Sequence, residues 1–146
     1  MKLEDDGFCF ACGPGNARGL KLRFRVDPEA LTASTETVLD PCFNGWKGVA
    51  HGGIVTALLD ETMIYACGGL GWLSVTAEIS VRFRKPVPTG ESIVVTGFVL
   101  ESGGRFYTAR AEIARNDEVL ATATGRMMPV MKVDNIVDYL QGRIAT

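Results

Sequence analysis

The stretch Gly48-Val49-Ala50-His51-Gly52-Gly53-Ile54-Val55-Thr56-Ala57-Leu58-Leu59-Asp60-Glu61-Thr62 decides how this chain folds. From Ile54 to Cys67 there is no Gly or Pro, and apolar or small residues fall on nearly every side of a helix. That pattern predicts a helix over about 53–67, stopped by Gly68-Gly69. A helix with one wet face would show a narrower apolar stripe. This one needs cover all round: a sheet on one side and, because the rest of the chain offers little more, a partner subunit on the other. At its start, Gly52 and Gly53 allow close backbone approach, and the free N–H groups of a helix end suit an oxygen that is negative or becoming so. About two turns on, Asp60 and Glu61 interrupt the apolar run.

Working outward, the flanks read as strands. Leu20-Lys21-Leu22-Arg23-Phe24-Arg25-Val26 alternates with apolar residues at even positions, and Leu31–Leu39 is rich in Thr and Val. Residues 40–50 form a loop punctuated by Pro41, Gly45 and Gly48. After the helix, Val75, Ala77, Ile79, Val81 and Phe83 share one strand face, while Thr76, Glu78, Ser80 and Arg82 share the other. Ser92–Glu101 is apolar on both faces, as a central strand would be. Ser102-Gly103-Gly104 and Asn116-Asp117 then set hairpins into strands over 105–115 and 119–128. Residues 1–18 read as an irregular lead-in, and 130–146 as a tail with a short helix near Ile136, Val137 and Leu140. The sum is one domain over 1–146, of α+β class, with a single antiparallel sheet.

The 146 residues carry a formal net charge of −2, which makes no electrostatic case for nucleic acid. The acidic start, Met1-Lys2-Leu3-Glu4-Asp5-Asp6, lacks the apolar core of a signal peptide, and no apolar run is long enough to span a membrane. The expectation is a cytoplasmic protein. Cys9-Phe10-Ala11-Cys12 has the spacing of zinc and redox sites, but a structural zinc wants four ligands and no second close pair exists. Cys42 and His51 complete a set only if the chain folds back on itself. Cys12 runs into Gly13-Pro14-Gly15-Asn16, a turn, where a thioredoxin-like pair would open a helix. The expectation is thiols in an ordered loop, with no metal ligands.

His51 is the only histidine, so a Ser-His-Asp triad or a Cys42–His51 pair must use it, and a two-histidine zinc motif fails. Adjacent acids on a helix diverge by about 100°, so Asp60 and Glu61 do not form a glycosidase pair. The arrangement that fits is a carboxylate working with an oxyanion site at the Gly53 N–H. Seven residues of helix put these groups about 10 Å apart, too far to meet at one carbonyl. Two antiparallel copies of the helix would bring Gly53 of one chain beside Asp60 of the other.

The run Phe43-Asn44-Gly45-Trp46-Lys47-Gly48-Val49-Ala50-His51-Gly52-Gly53, followed by Leu58-Leu59-Asp60-Glu61, resembles the hotdog-fold thioesterases of the phenylacetate-pathway and 4-hydroxybenzoyl-CoA type. The pattern Cys9-x-x-Cys12-Gly13-x-x-Asn16-x-x-Gly19-Leu20 is also similar to bacterial members, and the resemblance covers roughly residues 8 to 128. It implies a curved antiparallel sheet wrapped around one long central helix and paired into dimers. By resemblance, Asp60 is the nucleophile or general base, Gly53 the backbone donor and His51 the histidine beside it. Thr76 matches a hydroxyl that assists the attacking water, and Asn44 a polar position in the preceding loop. His51 as a helix cap and Thr76 as a plain polar-face residue stay open as alternatives. Glu61 is a structural or interface hydrogen-bonding group. Arg82, Arg84 and Lys85 either meet coenzyme A phosphates or charge a strand edge. The implied activity is hydrolysis of an acyl- or aryl-CoA thioester, with coenzyme A present only as part of the substrate. An acyl-CoA sensor and a hydratase or dehydratase on a related fold are the rivals. The acyl group stays open, as does the choice between a dimer and a dimer of dimers.

Overall fold

A computed structural model describes residues 1–140 and 142–145. The elements in chain order are β1 (Arg25–Asp27), β2 (Thr32–Val38), β3 (Asn44–Trp46), β4 (Val49–Ala50), α1 (Gly52–Gly68), β5 (Trp72–Phe83), β6 (Ser92–Glu101), β7 (Tyr107–Arg115), β8 (Glu118–Lys132) and α2 (Ile136–Tyr139). Six strands form one antiparallel sheet in the order β1-β2-β6-β7-β8-β5, and β3 pairs only with β4. The sheet wraps α1, which packs against β2, β5, β6, β7 and β8. This is the α+β hotdog arrangement expected from the sequence. No helix among the described residues is long and apolar enough to cross a membrane.

The core lies between helix and sheet. Leu58, Leu59 and Met63 meet Ile93, Val95, Ala109, Ala111, Ile113, Ala121 and Met127, all fully buried apart from traces. One contact sets how close the layers come. A Cβ on Gly97 of β6 would lie 2.7 Å from the Thr62 carbonyl oxygen, so only glycine lets the helix backbone seat there. The Asn116-Asp117 hairpin has φ of 50° and 67°, the left-handed pair that a tight type I′ turn requires.

Four expectations change. The strand over 20–26 shrinks to Arg25–Asp27, because Lys21 sits at φ 50° and Leu20 and Leu22 donate instead to the Phe10 and Ala11 carbonyls. The predicted tail strand end moves outward, with β8 running through Pro129 to Lys132. In β6 only one face is covered: Ile93 and Val95 are buried, whereas Val94 and Leu100 are exposed. Finally, the chain does supply part of the cover for the far side of α1. The lead-in is ordered, and Ala11, Cys12, Leu22 and Phe24 are buried with the Phe24 ring stacked 3.9 Å from Tyr65. Ile54, Ala57, Asp60 and Ile64 stay only half-covered.

The two ends of the chain are tied together. Phe24 N–H donates to the Arg143 carbonyl at 2.8 Å and Ala145 N–H to the Phe24 carbonyl at 2.7 Å. The buried Arg143 guanidinium forms a two-pronged ion pair with Asp5, 138 residues away.

Candidate active site

The entrance to α1 is capped from within. His51 is the N-cap residue, and its Nδ1 accepts the Gly53 N–H at 2.9 Å. The cap reading of His51 is therefore realised in this conformation, and the Gly53 donor is engaged rather than free. In the neutral ring, Nδ1 as acceptor leaves the hydrogen on Nε2. The short β3–β4 ribbon brings Asn44 to the same place, where its Oδ1 accepts the Thr89 hydroxyl at 2.7 Å. Asn44, His51 and Gly53 line one cavity of about 430 Å³, with Phe10, Phe43 and Ile54 as its apolar walls. Thr89 was not foreseen, since nothing in its Pro88-Thr89-Gly90 setting marks it.

Two turns along α1, Asp60 projects from the half-covered side of the helix, and its Oδ1 accepts the Thr76 hydroxyl at 2.5 Å. Burial raises the carboxyl above its ordinary value, and the Thr76 hydrogen bond only partly offsets this. The β5 register explains how Thr76 gets there. Thr76 lies opposite Met127 and Glu78 opposite Arg126, so Ala77 is the extra residue of a bulge. Met127 is fully buried, which puts Thr76 on the helix side. The alternation expected from the sequence had Thr76 sharing a face with Glu78, Ser80 and Arg82; the bulge breaks that pattern between Thr76 and Glu78.

The basic cluster lies at the surface. Arg82, Arg84 and Lys85 are exposed, and Arg84 and Lys85 sit with Gly52 and Phe83 around a shallow hollow beside the α1 N-terminus. Lys85 is already paired with Glu118 at 2.8 Å, and Arg82 does not line that hollow. Glu61 makes a hydrogen bond away from the Asp60 side of the helix. It meets the lead-in, with Cys9 Sγ 3.6 Å from its Oε1 and Cys12 close by.

Residues 47–122 match the thioesterase superfamily, more than half of the chain. The chain belongs to the thioesterase superfamily. Over 82 residues it is 28% identical to acyl-coenzyme A thioesterase THEM4 of Xenopus laevis, a match covering 53% of this chain but only 35% of that protein. Among solved structures, thioesterase superfamily protein RHA08564 aligns with TM-score 0.77 and 25% identity, over 84% of this chain and 60% of that one. The smu.793 protein of Streptococcus mutans, solved bound to acetyl CoA, aligns with TM-score 0.69 over 77% of this chain and 91% of its own. At 22% identity, that likeness to smu.793 is one of fold. The candidate residues thus fall into two separate groups: His51, Gly53 and Asn44 at one end of α1, and Asp60 with Thr76 further along it.

Proposed function

We propose that the protein hydrolyses acyl- or aryl-CoA thioesters to a free acid and coenzyme A, in a reaction centre assembled from two copies of the chain. The observation that carries this reading is Asp60, a desolvated carboxylate with one oxygen held by Thr76. Its second oxygen is left to take a proton from water or to attack the thioester carbon directly. A raised carboxyl pKa makes it the stronger base.

The other half-site receives the carbonyl. As the carbon is attacked, negative charge builds on its oxygen, and the N–H groups of the first turn of α1 stabilise it. Gly53 N–H becomes available when the His51 ring turns away, exchanging one acceptor for another. Collapse of the tetrahedral intermediate breaks the carbon–sulfur bond, and coenzyme A leaves as the thiol with the proton that Asp60 took from water. On the direct-attack route the sulfur takes its proton from solvent, and water then cleaves the acyl–Asp60 anhydride to the free acid. Arg84, next to the α1 N-terminus, is placed for the coenzyme phosphates.

The spacing of the halves supports a second copy, because seven residues of helix separate Gly53 from Asp60 by about 10 Å. So does β5, a 12-residue strand at the sheet edge, with Phe83 55% exposed beside the α1 entrance. A long uncovered edge invites pairing with another strand. THEM4, by name an acyl-coenzyme A thioesterase, and smu.793, solved with acetyl CoA, agree in ligand class. The test is thiol release across short, medium, long and aryl acyl-CoA substrates, with purified wild type and Asp60→Asn. The variant should lose at least about a hundredfold in kcat while eluting at the wild-type size. Unchanged turnover in Asp60→Asn would overturn the assignment.

A further inference from the structure

The tightest cluster of reactive side chains outside the two half-sites is Cys9, Cys12 and Glu61, whose ligand atoms all lie within 4.8 Å of one another. The thiols come from one closed turn. Gly13 N–H donates to the Cys9 carbonyl at 2.8 Å, and Gly15 N–H to the Gly7 carbonyl at 2.9 Å. A Cβ at Gly13 would stand 2.4 Å from Cys9 N and 2.5 Å from the Gly7 carbonyl oxygen, so the turn closes only around glycine. Leu20 and Leu22 donate to the Phe10 and Ala11 carbonyls between the two cysteines, which locks the turn against the body of the protein. Glu61 arrives from α1, 52 residues away.

The surroundings point to something that belongs among these groups. Tyr65 Oη, Ser74 Oγ and Arg143 Nε are each buried with no hydrogen-bond partner among the described residues. All three belong to residues lining the same cavity as Cys9, Cys12 and Glu61, a space of about 380 Å³. Buried polar atoms without partners are uncommon, and three around one cavity mark a place built for a polar occupant.

We propose that Cys9, Cys12 and Glu61 bind one divalent transition-metal ion of the zinc class, with a fourth position open to the cavity. Two sulfurs and one carboxylate oxygen are a donor set for zinc, whereas calcium and magnesium ask for more oxygens. Around a tetrahedral zinc, bonds of about 2.0 to 2.3 Å put ligand atoms roughly 3.5–3.8 Å apart. The Cys9–Glu61 separation of 3.6 Å already has that value, and all three ligand atoms lie within 4.8 Å of one another.

The electrostatics agree. Cys9 is pulled down to about 5, first by the Cys12 thiol and then by the Cys12 and Ala11 N–H groups aimed at its sulfur. Burial, and then the Cys9 charge, push Glu61 up to about 8, and the Cys9 contact together with burial pushes Cys12 up. The cluster holds three acidic groups close together with no cation among its members. A bound dication replaces the protons on Cys12 and Glu61. The ion ties the lead-in to α1 one residue from Asp60 and, with three protein ligands, keeps its fourth position for water or a small ligand from the cavity. It stands apart from the proposed hydrolysis.

The experiment uses the whole chain, reduced and stripped with chelator, then titrated with zinc against a chromophoric competitor and separately with cobalt. The expected result is one equivalent per chain, with a thiolate-to-cobalt charge-transfer band. Cys9→Ser and Glu61→Gln should each weaken zinc binding by about a hundredfold or more, and Cys42→Ser, at an exposed thiol elsewhere, should not. Circular dichroism checks that each variant is folded; if Cys9→Ser is not, the near-isosteric Glu61→Gln decides. Failure of the reduced protein to take up zinc, including the case where air merely joins Cys9 to Cys12 as a disulfide, overturns the proposal. Uptake unchanged in Glu61→Gln overturns it as well.

Discussion

At the scale of single residues, the carboxylate at Asp60 is defined by its partner. Thr76 supplies the only side-chain hydrogen bond to it among the described residues. Thr76→Val keeps the shape and the strand preference but removes the donor. The loss of one such bond in the transition state predicts kcat lower by about tenfold, near 1.4 kcal/mol, with KM and thermal midpoint close to wild type. Steady-state kinetics on the best acyl-CoA substrate check this, and an unchanged kcat would reduce Thr76 to scaffold. His51, Gly53 and Asp60 were legible in the sequence because a lone histidine, a glycine pair and an acid in an apolar helix each break their local pattern. Thr76 was legible only through resemblance, since simple alternation assigns it to the polar face with Glu78. The meeting of Cys9 with Glu61 was not legible at all. Nothing in either segment encodes a contact across 52 residues, and a search for zinc spacing among Cys and His passes over a glutamate.

At the scale of elements, α1 and the long strands follow from periodicity, and their predicted bounds agree with the structure to within a few residues. The misses occur where a side chain or backbone group outside the element intervenes. Leu20 to Leu22 has the alternation of a strand, yet its N–H groups are claimed by the lead-in turn. Alternation in β5 fails across Ala77, and the register shifts again between Leu73 and Ser74. The seat of the helix on the sheet depends on Gly97, and it makes a quantitative prediction. Gly97→Ala must push the β6 backbone away from the Thr62 carbonyl, because neither partner is a side chain that can swing aside. The expected cost is about 1–3 kcal/mol, read as a lower urea midpoint with an unchanged slope. A midpoint equal to wild type would mean that the layers can separate locally at no cost.

At the scale of the whole molecule, the separation of the half-sites along α1 gives a test that no single-chain site can pass. Gly53→Pro removes the N–H while respecting the first-turn position where proline is tolerated. Asp60→Asn removes the acid. Each variant alone should be inactive. Unfolded together and refolded as a mixture, the two should regain about a quarter of wild-type activity, because half of the dimers are mixed and each mixed dimer has one intact centre. No recovery in mixtures shown to exchange subunits would place both groups in a single-chain site and end the two-copy reading.

The Asp5–Arg143 clasp has a consequence for how the protein is made. A chain emerging from the ribosome presents the thiol turn early, when α1 and the sheet do not yet exist to receive it. Phe24 waits for the residue 143 carbonyl, and Asp5 for its guanidinium, so this clasp cannot close until residue 143 has left the exit tunnel. Domains whose closing contacts join distant positions in the chain fold late and expose their unfinished edges longest. Cys9 and Cys12 are therefore synthesised before α1 and the sheet, and the clasp beside them closes only after residue 143 has emerged.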